Sequence, residues 1–99
     1  MRILYKNEEL RRIAEDASYT PKQWGPNILK AYRKKIQILA NATDERDLRA
    51  LRSLHLKQLK GDRNGTSSIR LNDQFRLILE FTTDSYGRKV IVIEMVDYH

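Results

Sequence analysis

The sequence predicts an α+β domain in which N-terminal helices pack on one face of a mostly antiparallel sheet of four to five strands. Two observations carry that expectation. Apolar residues recur at helical spacing through the first half of the chain, and from Leu54 onward the period changes to two. The alternating stretches are separated by short segments rich in Gly, Asn and Asp, so successive strands can fold back on one another. Ninety-nine residues supply one core and no more, and no linker, repeat or low-complexity segment divides them, so residues 1–99 are expected to form a single domain.

Taken in order, "RILYK" can form a short first strand. Asn7 then reads as an N-cap followed by acids in the first helical turn, Glu8 and Glu9. Leu10, Ile13, Ala14 and Ala17 give that helix its buried face. "TPKQ", Thr20 to Gln23, reads as a capping box with Pro21 at the first helical position, opening a second helix that Gly25 and Pro26 either break or restart. Trp24, Ile28, Leu29, Tyr32, Ile36 and Leu39 form its apolar stripe. "TDERDLRAL" reads as a short third helix capped by Thr43 or Asp44. "LHLKQLK", "SSIRLN", "FRLILEF" and "KVIVIEMVDYH" are strand candidates joined by "GDRNGT", "DQ" and "TDSYG", with Asn64-Gly65 the strongest hairpin signal. They make a four-stranded antiparallel meander.

Composition narrows the chemistry. The chain has no cysteine, so disulfides and thiolate zinc sites are excluded, and two histidines leave too few ligands for a transition-metal centre. No metal or other cofactor is expected. A carboxylate-held magnesium is disfavoured by the neighbouring cations. No apolar run is long enough for a signal peptide or a membrane span, which makes the cytoplasm the expected location and a membrane partner unexpected. A net charge of +6 and a pI near 9.8 fit either a polyanion binder or a well-solvated basic surface. Lys30, Arg33, Lys34 and Lys35 lie mostly off the apolar stripe of the second helix and allow the same two readings.

If Phe75, Leu77, Leu79 and Phe81 face the helices, Arg76 faces away from them. On the predicted second strand His55 and Lys57 share a face, Lys60 sits at the following turn, and the next strand adds Arg70. At the last strand's end Asp97 and His99 share a face and Tyr98 projects oppositely, unless a terminal kink gathers all three. Cations with an imidazole, a phenol and a carboxylate suit metal-independent RNA cleavage, which needs a base for the ribose 2′-OH, charge stabilisation at phosphate and an acid for the leaving 5′-oxygen. The plainer alternative has Arg70 and Arg76 paired with Glu80 and Glu94 across strands.

"LKGDRNGTSSIRLNDQFRLILEF", Leu59 to Phe81, together with the terminal "DYH", Asp97 to His99, closely resembles HigB-type toxins of the RelE/ParE toxin-antitoxin superfamily. The first 55 residues agree only in their order of elements. The resemblance implies a RelE-like fold and a ribosome-dependent mRNA interferase that cuts translated messages in the ribosomal A site. It also implies neutralisation by a HigA-type antitoxin with a helix-turn-helix domain. Carried onto this chain, it makes Lys60 and Arg76 phosphate contacts, Tyr98 a contact to ribose or base, and Asp97 with His99 the proton-transfer groups.

Many relatives have a histidine three residues before the lysine of "LKGDR", where this chain has Lys57, an added cation of the site. His55 is then either a partly exposed sheet histidine or a substitute for the missing one. Lys30, Arg33, Lys34, Arg63 and Arg70 are the candidate RNA contacts outside the catalytic set. A carboxylate on the backbone of His99 is expected to favour its imidazolium and suit it to protonating the leaving oxygen. The same superfamily includes ParE-type toxins that inhibit DNA gyrase by binding alone, and the chemistry-bearing Arg76, Asp97, Tyr98 and His99 favour the nuclease.

Overall fold

The computed structural model describes residues 1–97; Tyr98 and His99 lie outside the described residues. The elements run β1 (Arg2–Tyr5), α1 (Glu8–Glu15), α2 (Pro26–Asn41), α3 (Glu45–Ala50), a 3₁₀ turn (Arg52–Leu54), β2 (Lys57–Gln58), a second 3₁₀ turn (Gly61–Arg63), β3 (Ser67–Arg70), β4 (Phe75–Asp84) and β5 (Gly87–Asp97). This is the α+β arrangement the sequence predicts. The sheet order is β1-β5-β4-β3-β2. β2 to β5 form the antiparallel meander, and β1 adds to β5 in parallel, with Ile3 opposite Val90 and Tyr5 opposite Val92.

The helices begin where their caps dictate. Asn7 accepts the Leu10 amide at 2.9 Å, and Glu8 and Glu9 complement the positive end of α1. Of the predicted face, Leu10 and Ile13 are buried and Ala14 is half-buried, while Ala17 lies beyond the helix and is exposed. Asp44, of the two candidates, caps α3 by accepting the Arg46 amide at 2.9 Å.

Two expected elements differ. α2 starts at Pro26 and not at Thr20: Thr20 to Trp24 make only turns, because a helix running through Pro26 would lose an amide donor and set the ring against the carbonyl four residues back. β2 is two residues long where seven were expected. Leu54 is buried from a 3₁₀ turn, and His55 follows in the left-handed region at φ 49°, so the alternation of Leu54 and Leu56 is not that of a strand.

The main core lies between the helices and one sheet face. It gathers Leu10, Ile13, Leu29, Tyr32, Leu39 and Leu48 from the helices with Ile69, Leu77, Leu79, Val90, Val92 and Met95 from the sheet. Burying each such aliphatic side chain contributes roughly 1.5–3 kcal/mol. Tyr32, fully buried, donates its hydroxyl to the Leu10 carbonyl at 2.8 Å and so joins α2 to α1 without an orphaned polar atom. No helix among the described residues is long and apolar enough to cross a membrane.

A β-bulge decides which residues of β5 face the core. Ile78 pairs with Glu94 and Leu79 with Val92, so Ile93 is the extra residue between them. The core face therefore carries Val90 and Val92 before the bulge and Met95 after it.

Candidate active site

The face of the sheet away from the helices is built by strand alternation. Arg70 and Arg76 are directly opposite each other on β3 and β4, and Ser68 is opposite both Lys57 on β2 and Ile78 on β4. Arg76 is half-buried, and its position is fixed. Nε donates to Ser68 Oγ at 2.8 Å, and Nη2 donates to the His55 carbonyl at 2.5 Å and to the Ser68 carbonyl at 3.4 Å. His55 is the one non-glycine with positive φ among the described residues, and Arg76 grips its carbonyl. The guanidinium thus anchors the segment that leads into Lys57.

His55 is exposed and stands at the end of a 3₁₀ turn, outside any strand. The expectation that it shares a sheet face with Lys57 is therefore corrected. The left-handed residue reverses the chain before β2 begins.

Lys57 is exposed on the edge strand, and Lys60 is exposed at the head of the second 3₁₀ turn. The loop after Lys60 crosses the outer face, because Arg63 reaches Glu94 at 2.7 Å although β3 and β4 lie between β2 and β5. Ile78, between Ser68 and Glu94, is fully buried on that face.

Asp97 is placed differently from Arg76. It pairs with Phe75 and shares the helix-side face with Met95, because the bulge at Ile93 inverts the alternation of the final residues. Arg76 and Asp97 consequently stand at the same end of the sheet, on neighbouring strands and opposite faces. Asp97 is exposed, and its Oδ2 accepts from Gln74 Nε2 at 2.9 Å. Tyr98 and His99, the other two members of the expected proton-transfer set, follow it outside the described residues.

The candidate RNA contacts divide. Lys30 and Lys34 are exposed on α2. Arg33 is turned inward: Nε donates to the Ile13 carbonyl at 2.8 Å, and Nη2 to those of Tyr19 at 2.6 Å and Asp16 at 3.4 Å. These are carbonyls at and beyond the C-terminal end of α1, where helical acceptors lack intrahelical donors. Arg63 is paired with Glu94, and Arg70 with Asp73 in the β3–β4 turn. The cross-strand pairing expected of Arg70 with Glu80 or Glu94 is not what the described residues show.

Two contacts have no counterpart among the sequence-based expectations, and the burial of Lys35 departs from them. Lys35 is half-buried, and burial together with the like charges of Lys34 and Arg70 holds its ammonium below the usual lysine range. Ser68 and Gln74 make the bonds that orient Arg76 and Asp97, and no local pattern distinguishes such a serine or glutamine from any other.

Comparison with known proteins gives a fold and, separately, a family. Among solved structures, a YoeB/ParE toxin from Agrobacterium tumefaciens is 15% identical with a TM-score of 0.57, covering 100% of both chains. A YoeB-YefM complex from Staphylococcus aureus matches at 17% identity and a TM-score of 0.53, covering 100% of this chain and 97% of that one. The toxin-antitoxin complex RelBE2 from Mycobacterium tuberculosis matches at 18% and 0.52, covering 98% and 96%. These likenesses are of fold. No match was found among curated proteins. The model of the HigB-like toxin family, described as the RelE-like toxin of the type II toxin-antitoxin system HigB, matches residues 4–99. With nearly its whole length matched, the chain belongs to the HigB-like family of RelE-like type II toxins.

Proposed function

We propose that this toxin is a ribosome-dependent, metal-independent mRNA endonuclease that blocks translation by cutting messages in the A site. Its partner is a HigA-type antitoxin with a helix-turn-helix domain. The observation that carries the reading is Arg76. Its guanidinium is held by a hydroxyl and two carbonyls at the end of the sheet, with Lys57 on the same face and a carboxylate ending the adjacent strand. Donors oriented in advance at the place where phosphate charge grows are the principal source of catalysis in reactions of this kind.

In the proposed reaction the ribose 2′-OH loses its proton to the base, and the 2′-oxygen forms a bond to phosphorus. The bond from phosphorus to the 5′-oxygen breaks, and an acid returns a proton to that oxygen. The products are a 2′,3′-cyclic phosphate and a 5′-hydroxyl. Arg76, Lys60 and Lys57 stabilise the charge on the non-bridging oxygens. Asp97 and His99 handle the protons and Tyr98 contacts the ribose or base, roles that follow from the family motif. Lys30 and Lys34 supply phosphate contacts for docking. Arg63 and Arg70 contribute only if their ion pairs open, and Arg33 only if it leaves the α1 carbonyls.

The test is a purified translation system programmed with a defined message, with 5′ ends mapped after adding the protein. Ribosome-dependent cuts, absent with Arg76→Ala and persisting when free divalent metal is lowered to the minimum that keeps ribosomes intact, are the expected result. Intact message together with inhibited DNA supercoiling by gyrase would replace this reading with the ParE-like one.

A further inference from the structure

Asp97 ends the β4–β5 ladder and is exposed, a position where a side chain has little packing to hold its rotamer. Gln74 reaches across the ladder's end to hold it, with Nε2 2.9 Å from Asp97 Oδ2. The turn that presents Gln74 is itself tied down. Asn72 Oδ1 accepts the amides of Gln74 at 2.9 Å and Phe75 at 2.7 Å, and the Leu71 amide donates to the Phe75 carbonyl at 2.9 Å. Arg70 Nε bonds the Asn72 carbonyl at 3.2 Å, and Phe75 packs edge-on against Trp24 with ring centroids 5.8 Å apart. Turn positions favour Gly, Pro, Asn, Asp or Ser for local backbone reasons, and Gln satisfies none of them. Its long amide is explained by where it reaches.

From these contacts we infer that Gln74 is a positioning residue for Asp97. It sets the carboxylate's orientation at the sheet's end and acts through it, without taking part in the bond changes. The inference rests on the proposed role of Asp97 in proton transfer. A neutral amide suits such a position, because the amide itself orients the carboxylate without adding a charge that would oppose its protonation. The charged groups described on the elements that meet there include Asp73, held by Arg70 in the same turn, Glu94, held by Arg63, Glu9 of α1, which lines a cavity with Trp24 and Met95, and Arg76 on the opposite face. All of them are unchanged in Gln74 variants.

The experiment compares Gln74→Leu, Gln74→Glu and Asp97→Asn with the natural sequence by pH–rate profiles on programmed ribosomes, alongside carboxyl ¹³C titration of Asp97 in the isolated protein. Gln74→Leu is expected to lower kcat about tenfold, a barrier change of about 1.4 kcal/mol, with KM for ribosomes little changed. In Gln74→Glu a second carboxylate disfavours ionised Asp97, so both the acidic limb of the profile and the ¹³C titration move to higher pH. Wild-type profiles and rates in both Gln74 variants overturn the inference, as does a loss carried by KM alone, which would make Gln74 an RNA contact. If Asp97→Asn cleaves normally, the proton-transfer role fails. The ¹³C titration then decides the contact by itself: moved in Gln74→Glu it stands, unmoved it falls.

Discussion

The two ends of the β4–β5 hairpin use charge in opposite ways. At the turn end, Arg2 and Lys89 both pair with Asp84, and Arg88 forks onto Glu45 of α3 while also donating to Thr83 Oγ1 at 2.9 Å. Charge there is matched with charge, and the result is a fastening between strand, edge and helix. At the other end the partners described for Arg76 and Asp97 are neutral, a hydroxyl and carbonyls for the one and an amide for the other, beside an Arg70–Asp73 pair in the adjoining turn. Such neutral partners orient a charged group without themselves opposing its charge. One end is built for cohesion, the other for chemistry.

The comparison is broken most directly at Arg76. Arg76→Ala should lose about a hundredfold or more in cleavage rate, the loss expected on removing an oriented cation from the transition state. Arg76→Lys should recover little, because an ammonium cannot hold Ser68 and the His55 carbonyl in a fixed fork. Circular dichroism unchanged from wild type together with lost cleavage would bear this out. An active Arg76→Ala would place the charge stabilisation elsewhere.

Arg33 tests whether a basic residue on the docking helix belongs to cohesion or to RNA. Arg33→Ala leaves carbonyls at the end of α1 without their donor, and should cost about 1–3 kcal/mol in urea unfolding. Lys34→Glu should leave stability within about 0.5 kcal/mol and weaken ribosome binding, most at low salt. Equal effects of the two on ribosome affinity, with no stability difference, would return Arg33 to the docking surface.

At the turn end the effects are smaller. Arg88→Ala should lower stability by about 0.5–1 kcal/mol, as for a partly exposed ion pair, and leave cleavage at the wild-type rate. The smallest effect is in acid. The Arg2 guanidinium, aided by the Tyr86 amide, holds Asp84 down at about 2 from its usual 3.8. Because the folded-state value is depressed, the stability it contributes is complete above roughly pH 4 and is lost as pH falls towards 2. Asp84→Asn should lose that small contribution at neutral pH and flatten the stability curve over the acid interval, so that variant and natural protein converge as pH falls towards 2.

Much of the architecture was legible because it depends on periodicity. The change from helical to alternating spacing after Leu54 separated the layers, and alternation along "FRLILEF" placed Arg76 away from the helices. Long-range choices were not legible. Nothing in "RILYK" says that its partner is β5 or that the pairing is parallel, since an edge strand's partner is chosen by the assembled sheet. In "VIVIEMVD" every position is compatible with a strand, so the residue that bulges cannot be read off, and with it goes the face on which Asp97 lands. For Arg33, a helical stripe shows only that the residue is off the core, whereas its role is set by carbonyls at the end of another helix. The capping pattern at Thr20 was a genuine local signal, overridden by Pro26 five residues into the helix it would have begun.

The parallel pairing of β1 with β5 has a consequence for synthesis. Arg2 to Tyr5 hydrogen-bond with a strand whose first paired residue is Lys89, so that the sheet joins segments made early and late. Contacts of such sequence separation form slowly, because most of the chain must be ordered before they are rewarded. A nascent chain that has not yet released β5 lacks the partner of β1, the Val92 and Met95 portion of the core and the strand that carries Asp97. Assembly of the candidate cleavage site is thereby deferred until almost all of the described chain has left the ribosome that makes it.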